Sequence, residues 1–106
     1  MEALAEFERA AAAAPDEPTI LLGFALSLDA AGRRPEAVEV LESSVRTQRA
    51  DAELYHALVS LLRDERSLDE ARQFAREWAS RFPTDDRAPR LLRSLEAAAS
   101  RQVRPD

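Results

Sequence analysis

The sequence predicts an all-α fold of about six helices joined by short turns. Ala and Leu, which both favour helices, occur 21 and 14 times in the 106 residues. Only two Gly, one Ile and five Val are present, and this scarcity argues against a β-rich fold. The Glu-Ala dipeptide begins at residues 2, 36 and 70, so each copy follows the previous one after 34 residues. A period of this length indicates stacked copies of one helical unit.

The first two helices are delimited by prolines and a glycine. Residues 2–14 form the first helix, which stops before Pro15. Pro18 suits the first turn of the second helix, because an N–H has no helical partner there. That helix extends to about Ala31, after which Gly32 can take the left-handed conformation that ends many helices.

The next three helices begin at a proline or at capping side chains. Pro35 opens the third helix, and Asp51 can cap a fourth helix over residues 52–64. Ser67 and Glu70 have the spacing of a capping box at the start of the fifth helix. These signals place only short turns between successive helices.

The end of the chain completes the repeat arrangement. Pro83 ends the fifth helix, and the tract 84–86 caps a last helix over residues 87–101. We therefore expect one domain over residues 1–106. Its parts are a half repeat (1–17), two repeats (18–51 and 52–85), a terminal helix (86–101) and a tail (102–106).

The period and residue pattern resemble the tetratricopeptide repeat, a pair of antiparallel helices per unit. Matching residues of the first full unit are Leu21, Phe24, Ala25, Leu28, Ala37, Leu41, Ser44 and Arg49. Those of the second are Tyr55, Leu58, Val59, Leu62, Ala71, Ala75, Trp78 and Pro83. The resemblance implies a right-handed α-solenoid of antiparallel helix pairs. It also implies a protein–protein interaction scaffold that binds a peptide or partner helix in a concave groove.

The second unit departs from the family pattern by exchanging a large and a small side chain. Ala75 stands in the large position and Trp78 in the small one. The total volume is roughly kept, and cores tolerate such exchanges when they repack. We therefore expect Trp78 to be buried between its own helix and the last one.

Composition excludes several kinds of chemistry. The absence of Cys excludes disulfides, thiolate metal sites and a cysteine nucleophile, and the single His excludes sites that need more imidazoles. All 15 basic residues are Arg, against 20 acidic residues. The resulting net charge of −5 disfavours nucleic acids and anionic membranes, which are themselves negative. We expect no cofactor and no metal.

The few constellations that suggest catalysis have simpler explanations. His56 and Ser60 are spaced so that they share a helix face, but neither an orienting acid nor an oxyanion site accompanies them. Acidic pairs such as Asp85 and Asp86 fall at predicted helix ends, where carboxylates cap helices. We therefore predict that the protein is not an enzyme.

In the family that this chain resembles, the first helices of successive units line the groove. Leu21 and Phe24 already fill the core side of the second helix, so Leu22 and Leu26 are surplus apolar residues. An exposed apolar pair suits an apolar anchor, and nearby arginines suit acidic groups. The alternative is that neighbouring side chains, or the rest of a longer protein, cover the pair. The predicted groove residues are Thr19, Leu22, Leu26, Asp29, Glu53, His56, Ser60, Arg63, Arg87, Arg90 and Ser94.

A structural role is the alternative function. The chain can be a segment of a longer repeat protein, or a homodimerisation module without a ligand of its own. The first helix has the phase of the second helix of a unit, so Leu4 and Phe7 lack their usual cover and two chains can meet there. Because this chain holds neither a signal peptide nor a membrane-spanning run, we expect a cytoplasmic protein.

Overall fold

The computed structural model describes residues 2–47 and 49–102. Within these residues the secondary structure is entirely helical, which confirms the all-α prediction. The observed helix ends lie within one residue of the predicted ones, and those of α4 agree with the prediction. The helices are α1 (Glu2–Ala13), α2 (Pro18–Ala30), α3 (Arg34–Val45), α4 (Ala52–Asp64), α5 (Leu68–Arg81) and α6 (Arg87–Gln102).

The chain divides into two compact units, Met1–Ala57 and Leu58–Asp106, with the boundary inside α4. In the first unit α2 packs against both α1 and α3, and in the second α5 packs against α6. The division into repeats that the period suggests stays a prediction. No described helix is long and apolar enough to cross a membrane.

The core of the first unit depends on small residues at the contacts between helices. Ala25 of α2 and Ala37 of α3 are completely buried, which lets the two helices approach closely around Leu28 and Leu41. A small residue also serves the contact between α1 and α2. The Phe7 ring lies against α2 at Gly23, where a Cβ atom would overlap ring atoms Cε1 and Cζ.

The turn between α2 and α3 is closed by backbone hydrogen bonds around Gly32. The N–H of Arg33 donates to the carbonyl of Leu28 at 2.8 Å, and that of Gly32 to the carbonyl of Asp29 at 3.0 Å. This pair of bonds defines a Schellman motif, whose residue after the C-cap must be left-handed. Gly32 has a φ of 80°, as predicted from its place at the helix end.

The turn between α4 and α5 repeats this geometry 34 residues later, without a glycine. The N–H of Ser67 donates to the carbonyl of Leu62 at 2.9 Å, and that of Arg66 to the carbonyl of Arg63 at 3.0 Å. Arg66 therefore takes the place of Gly32 and has a φ of 61°. A residue with a Cβ atom pays about 1–2 kcal/mol for this conformation.

Two of the predicted N-caps have different outcomes. The Asp51 carboxylate accepts the backbone N–H of Leu54 at 3.2 Å, so this cap of α4 is confirmed. The Ser67 side chain makes no capping hydrogen bond, so the capping box with Glu70 is wrong. The reason is the preceding turn, which leaves Ser67 with a ψ of 64°, short of the extended conformation from which a hydroxyl reaches back to the helix.

The two turns predict opposite effects of exchanging glycine. Arg66→Gly should raise the free energy of unfolding by about 0.5–1 kcal/mol, because relief of the left-handed strain exceeds the extra entropy of an unfolded glycine. Gly32→Ala should lower it by about 1 kcal/mol for the converse reason. Urea unfolding followed by circular dichroism measures both changes. Shifts of the same sign in the two variants would contradict the assignment of the turns.

Candidate functional site

Helix α2 carries apolar residues on more than one face. Eight of its 13 residues are apolar, and only Asp29 is charged. Leu21, Ala25 and Leu28 lie on the face that is buried in the first unit. Leu22 and Leu26 lie on the other side, because a helix turns by about 100° per residue. A helix that is apolar all round is normally covered on both faces.

The outer face of α2 is not fully covered. Leu26 is 49% exposed, the one large apolar side chain that is this open in the described part of the chain. Thr19 is exposed and Leu22 is half-buried. Asp29 is half-buried and accepts a hydrogen bond from Nε of Arg34 at 2.7 Å. These four residues, the α2 stripe, lie at the positions that the family resemblance assigned to the groove.

The predicted groove residues at the start of α4 also belong to the first unit. Glu53 and His56 are both exposed on this helix. The described residues contain no group of three or more His, Asp and Glu side chains that could hold a metal ion. The chemistry available in the first unit is therefore apolar contact with the α2 stripe, together with polar side chains of α2 and α4.

The remaining predicted groove residues lie in the second unit. Ser60 is half-buried, whereas Arg63 and Ser94 are exposed. Nε of Arg63 lies 3.7 Å from an oxygen of Asp64, its neighbour in the chain. Arg90 is exposed and its Nη2 donates to the Asp86 carboxylate at 2.5 Å. Each of these arginines thus has an acidic partner close to it in sequence.

Arg87 is part of a cluster around the only tryptophan of the sequence. Trp78 is completely buried, as predicted, and its Nε1–H donates to Oδ2 of Asp85 at 3.0 Å. The guanidinium of Arg87 donates to both oxygens of Asp85, from Nε at 3.0 Å and from Nη2 at 2.9 Å. It also lies 5.6 Å from the centre of the indole ring, a cation–π distance.

This cluster determines what Arg87 can do for a ligand. Two of the five N–H donors of the Arg87 guanidinium are held by Asp85, in a contact that is both bidentate and charge-assisted. Arg87 therefore stabilises the α5–α6 turn. Sequence reasoning missed this pairing, because residues two apart, such as Asp85 and Arg87, do not face each other on a helix. The four-residue spacing of Asp86 and Arg90 does indicate a local ion pair.

The same contacts lower the pKa of the Asp85 carboxyl group to about 2, from an ordinary value of 3.8. The side-chain hydrogen bond from Arg87 is the largest cause, and the backbone N–H of Arg87 and the indole of Trp78 act in the same direction. Partial burial opposes them, since it disfavours the charged form. The Asp85 carboxyl group is thus ionised at neutral pH and throughout the mildly acidic range.

The lowered pKa of Asp85 predicts a loss of stability in acid. Its contribution is complete above about pH 4, near the unfolded pKa, and disappears as the pH falls towards 2. Asp85→Asn should therefore flatten the decline of unfolding free energy between pH 4 and pH 2, as measured by urea titrations that follow Trp78 fluorescence. Asp86→Asn is the matched control, because the Asp86 pair is exposed, and it should keep the parental slope. A parental slope in Asp85→Asn would contradict the role of the cluster.

The first unit also contains a groove of about 400 Å³ among α1, α2, α3 and the turns that follow α1 and α3. Sequence reasoning placed Leu21 and Phe24 wholly in the core. The structure buries Leu21, but it leaves Phe24 half-buried on this groove. No sequence signal marks the groove, because its lining comes from three helices and two turns. The lining residues are Ala11, Pro15, Leu21, Phe24, Glu39, Val40, Ser43, Ser44 and Thr47.

Similarity to known proteins is found over the first part of the chain. A sequence model described as tetratricopeptide repeat matches residues 2–62, more than half of the 106 residues. Comparison with curated protein sequences and with solved structures gives no match. The matched range contains α1, α2 and α3 and nearly all of α4. It therefore includes the exposed Leu26.

Proposed function

The chain belongs to the tetratricopeptide repeat family, and from this we propose that it binds a peptide or a partner helix through a concave groove that includes the α2 stripe. Repeats of this family generally mediate protein–protein interaction, and stacked helix pairs provide a rigid surface for it. The family is generally non-catalytic. That this particular chain has no enzymatic activity stays a prediction, as does its cytoplasmic location.

The exposure of Leu26 is the observation that supports this proposal most strongly. Residues of α2 that the first unit needs for its core are already buried on the other face, so Leu22 and Leu26 are not required there. Covering the rest of Leu26 would contribute about 1 kcal/mol, roughly half the value of burying a whole leucine. A ligand with an apolar anchor residue gains this energy when it displaces water from Leu26.

Charge favours a ligand with mixed side chains. Residues 1–57 carry five Arg and eleven acidic residues, so a strongly acidic ligand would be repelled from the α2 stripe. The arginines of the predicted groove, Arg63, Arg87 and Arg90, belong to the second unit and their contact with a ligand stays a prediction. Each of these arginines has an acidic neighbour, which is Asp64, Asp85 or Asp86.

The proposal predicts a specific effect of removing the apolar side chain. Peptides selected from a random phage-displayed library on the parental protein should bind Leu26→Ser about 5–30-fold more weakly, because an apolar contact of about 1–2 kcal/mol is lost. Most of the loss should appear as faster dissociation in surface plasmon resonance. The unfolding free energy should change by less than about 0.5 kcal/mol, since the site is half exposed.

A matched control separates this contact from a general effect of serine. Ala12 is an exposed residue of α1, and Ala12→Ser should leave both affinity and stability unchanged. Selected peptides that bind Leu26→Ser as tightly as the parental protein would exclude the α2 stripe from the binding surface.

The alternative function, self-association through α1, is favoured by a separate observation. Leu4 and Phe7 lie three residues apart on one side of α1, and both remain half-buried although the Phe7 ring packs against α2 at Gly23. Two copies of this chain could cover each other at that face, as the sequence analysis suggested. This alternative needs no ligand and involves none of the groove residues.

Sedimentation velocity over a range of concentrations tests self-association. If α1 mediates it, dimers should form as concentration rises, and Leu4→Glu should weaken them at least about tenfold because a charge must be desolvated. Ala12→Glu places the same charge on an exposed position of α1 and is the control. A parental protein that stays monomeric at high concentration would rule this alternative out.

A further inference from the structure

The second unit contains an arginine-rich cleft of about 510 Å³. It is lined by the end of α4, the α4–α5 turn, the start of α5 and the last turns of α6. We call it the arginine cleft, and its lining residues are Arg63, Asp64, Arg66, Leu68, Ala98 and Arg101. Of these residues, only Arg63 belongs to the predicted groove.

The charges of the arginine cleft are unbalanced. Three guanidinium groups face a single carboxylate, that of Asp64, which lies 3.7 Å from Nε of Arg63. Arg66 and Arg101 are exposed, and neither forms an ion pair with any residue that the structure describes. At the start of α6, in contrast, Arg87 pairs with Asp85 and Arg90 with Asp86. Two cations of the cleft are thus available to an anion from outside.

The backbone at Arg66 adds a second, independent observation. The equivalent turn of the first unit uses Gly32, which adopts its φ of 80° without steric cost. At Arg66 the chain accepts a strained φ of 61° and thereby places a guanidinium at the cleft. Residues with a strained backbone lower the stability of a protein, and they are often found where it binds a ligand.

The wall of the cleft is partly apolar. Leu68 is buried and Ala98 is half-buried, so an apolar side chain can lie against them while carboxylates reach the rim. Arginine holds a carboxylate through two parallel hydrogen bonds, which gives such a contact direction as well as charge.

We propose that the arginine cleft binds an acidic segment of a partner protein, with carboxylates held by Arg66 and Arg101 and an apolar side chain against Leu68 and Ala98. A protein segment fits better than a polyanion. Residues 58–106 carry ten Arg and nine acidic residues, and the whole chain has a net charge of −5. Nucleic acids need an extended basic surface, whereas one or two carboxylates need only local cations.

The test uses two short fluorescein-labelled peptides that are blocked at both ends. In the aspartate peptide, leucine is flanked by aspartates, and in the asparagine peptide, which is the control, each aspartate is replaced by asparagine. Fluorescence anisotropy should show binding of the aspartate peptide at low salt, with weakening as salt screens the exposed charges. Amide chemical shifts should change at residues 63–68 and 98–101. The asparagine peptide should bind at least about tenfold more weakly, since a charge-assisted contact is lost.

Three variants locate the binding. Arg101→Gln should weaken it at least about fivefold, and Arg66→Gly about tenfold, each by removing one guanidinium. Arg66→Gly is also expected to be more stable than the parental protein, so its loss of binding cannot come from unfolding. Arg93→Gln removes the same charge from another exposed position of α6 and should change affinity less than about twofold.

Other outcomes would overturn the proposal. Equal weakening by Arg93→Gln and Arg101→Gln would show a general effect of charge, and equal binding of the asparagine peptide would show that carboxylates are not recognised. Tighter binding of single-stranded RNA or of inorganic phosphate would assign the cleft to a different anion. Leu26→Ser should leave binding of the aspartate peptide unchanged, so failure at the α2 stripe and failure at the arginine cleft are distinguishable.

Discussion

Burial of apolar helix faces in pairs is the constraint on which the rest of this structure depends. A single helix of this composition cannot remove its apolar side chains from water, and the space between neighbours is narrow because alanines stand at the contacts. Ala25 and Ala37 are completely buried in the first unit, as are Ala71 and Ala75 in the second. Close contacts of this kind use one face of each helix. The exposed Leu26 of α2 is therefore in excess of what the core of the first unit needs.

The second unit shows how one large residue reorganises the charges around it. Trp78 is completely buried, so its indole N–H must find an acceptor, and Asp85 supplies one at 3.0 Å. A half-buried carboxylate in turn needs a cation, which Arg87 provides. An arginine that the family resemblance assigned to ligand binding is consequently used for the fold. In our proposal, the guanidinium groups that bind a partner lie elsewhere, at Arg66 and Arg101.

The two Schellman turns place residues of different kinds, Gly32 and Arg66, at the same position of the motif. Both turns close with the same hydrogen bonds, and both require a left-handed residue. Gly32 meets this requirement at low cost, whereas Arg66 meets it with strain. Because the hydrogen-bond pattern is the same, the main difference between the two positions is the side chain. At Arg66 the side chain contributes a cation to a cleft, and at Gly32 there is no side chain to contribute.

Most of the fold was predictable from the sequence, because its determinants are local or periodic. The 34-residue period, the prolines at helix starts, Gly32 and the Asp51 cap are properties of short stretches of chain, and each led to the correct element. The burial of Trp78 followed from its place in the repeat. The exposed position of Leu26 followed from counting which side chains of α2 the core could use. These predictions needed no knowledge of the distances between helices.

Tertiary structure alone decided the features that depend on several elements at once. The backbone angles of Ser67 follow from the turn before it, and they removed the capping bond that spacing had suggested. Arg87 could be assigned to Asp85 only once the buried indole of Trp78 was in place beside them. The arginine cleft joins residues more than thirty positions apart, from Arg63 to Arg101. Sequence determines which side chains a helix carries, but the packing of helices decides which of them meet and which remain available to a partner.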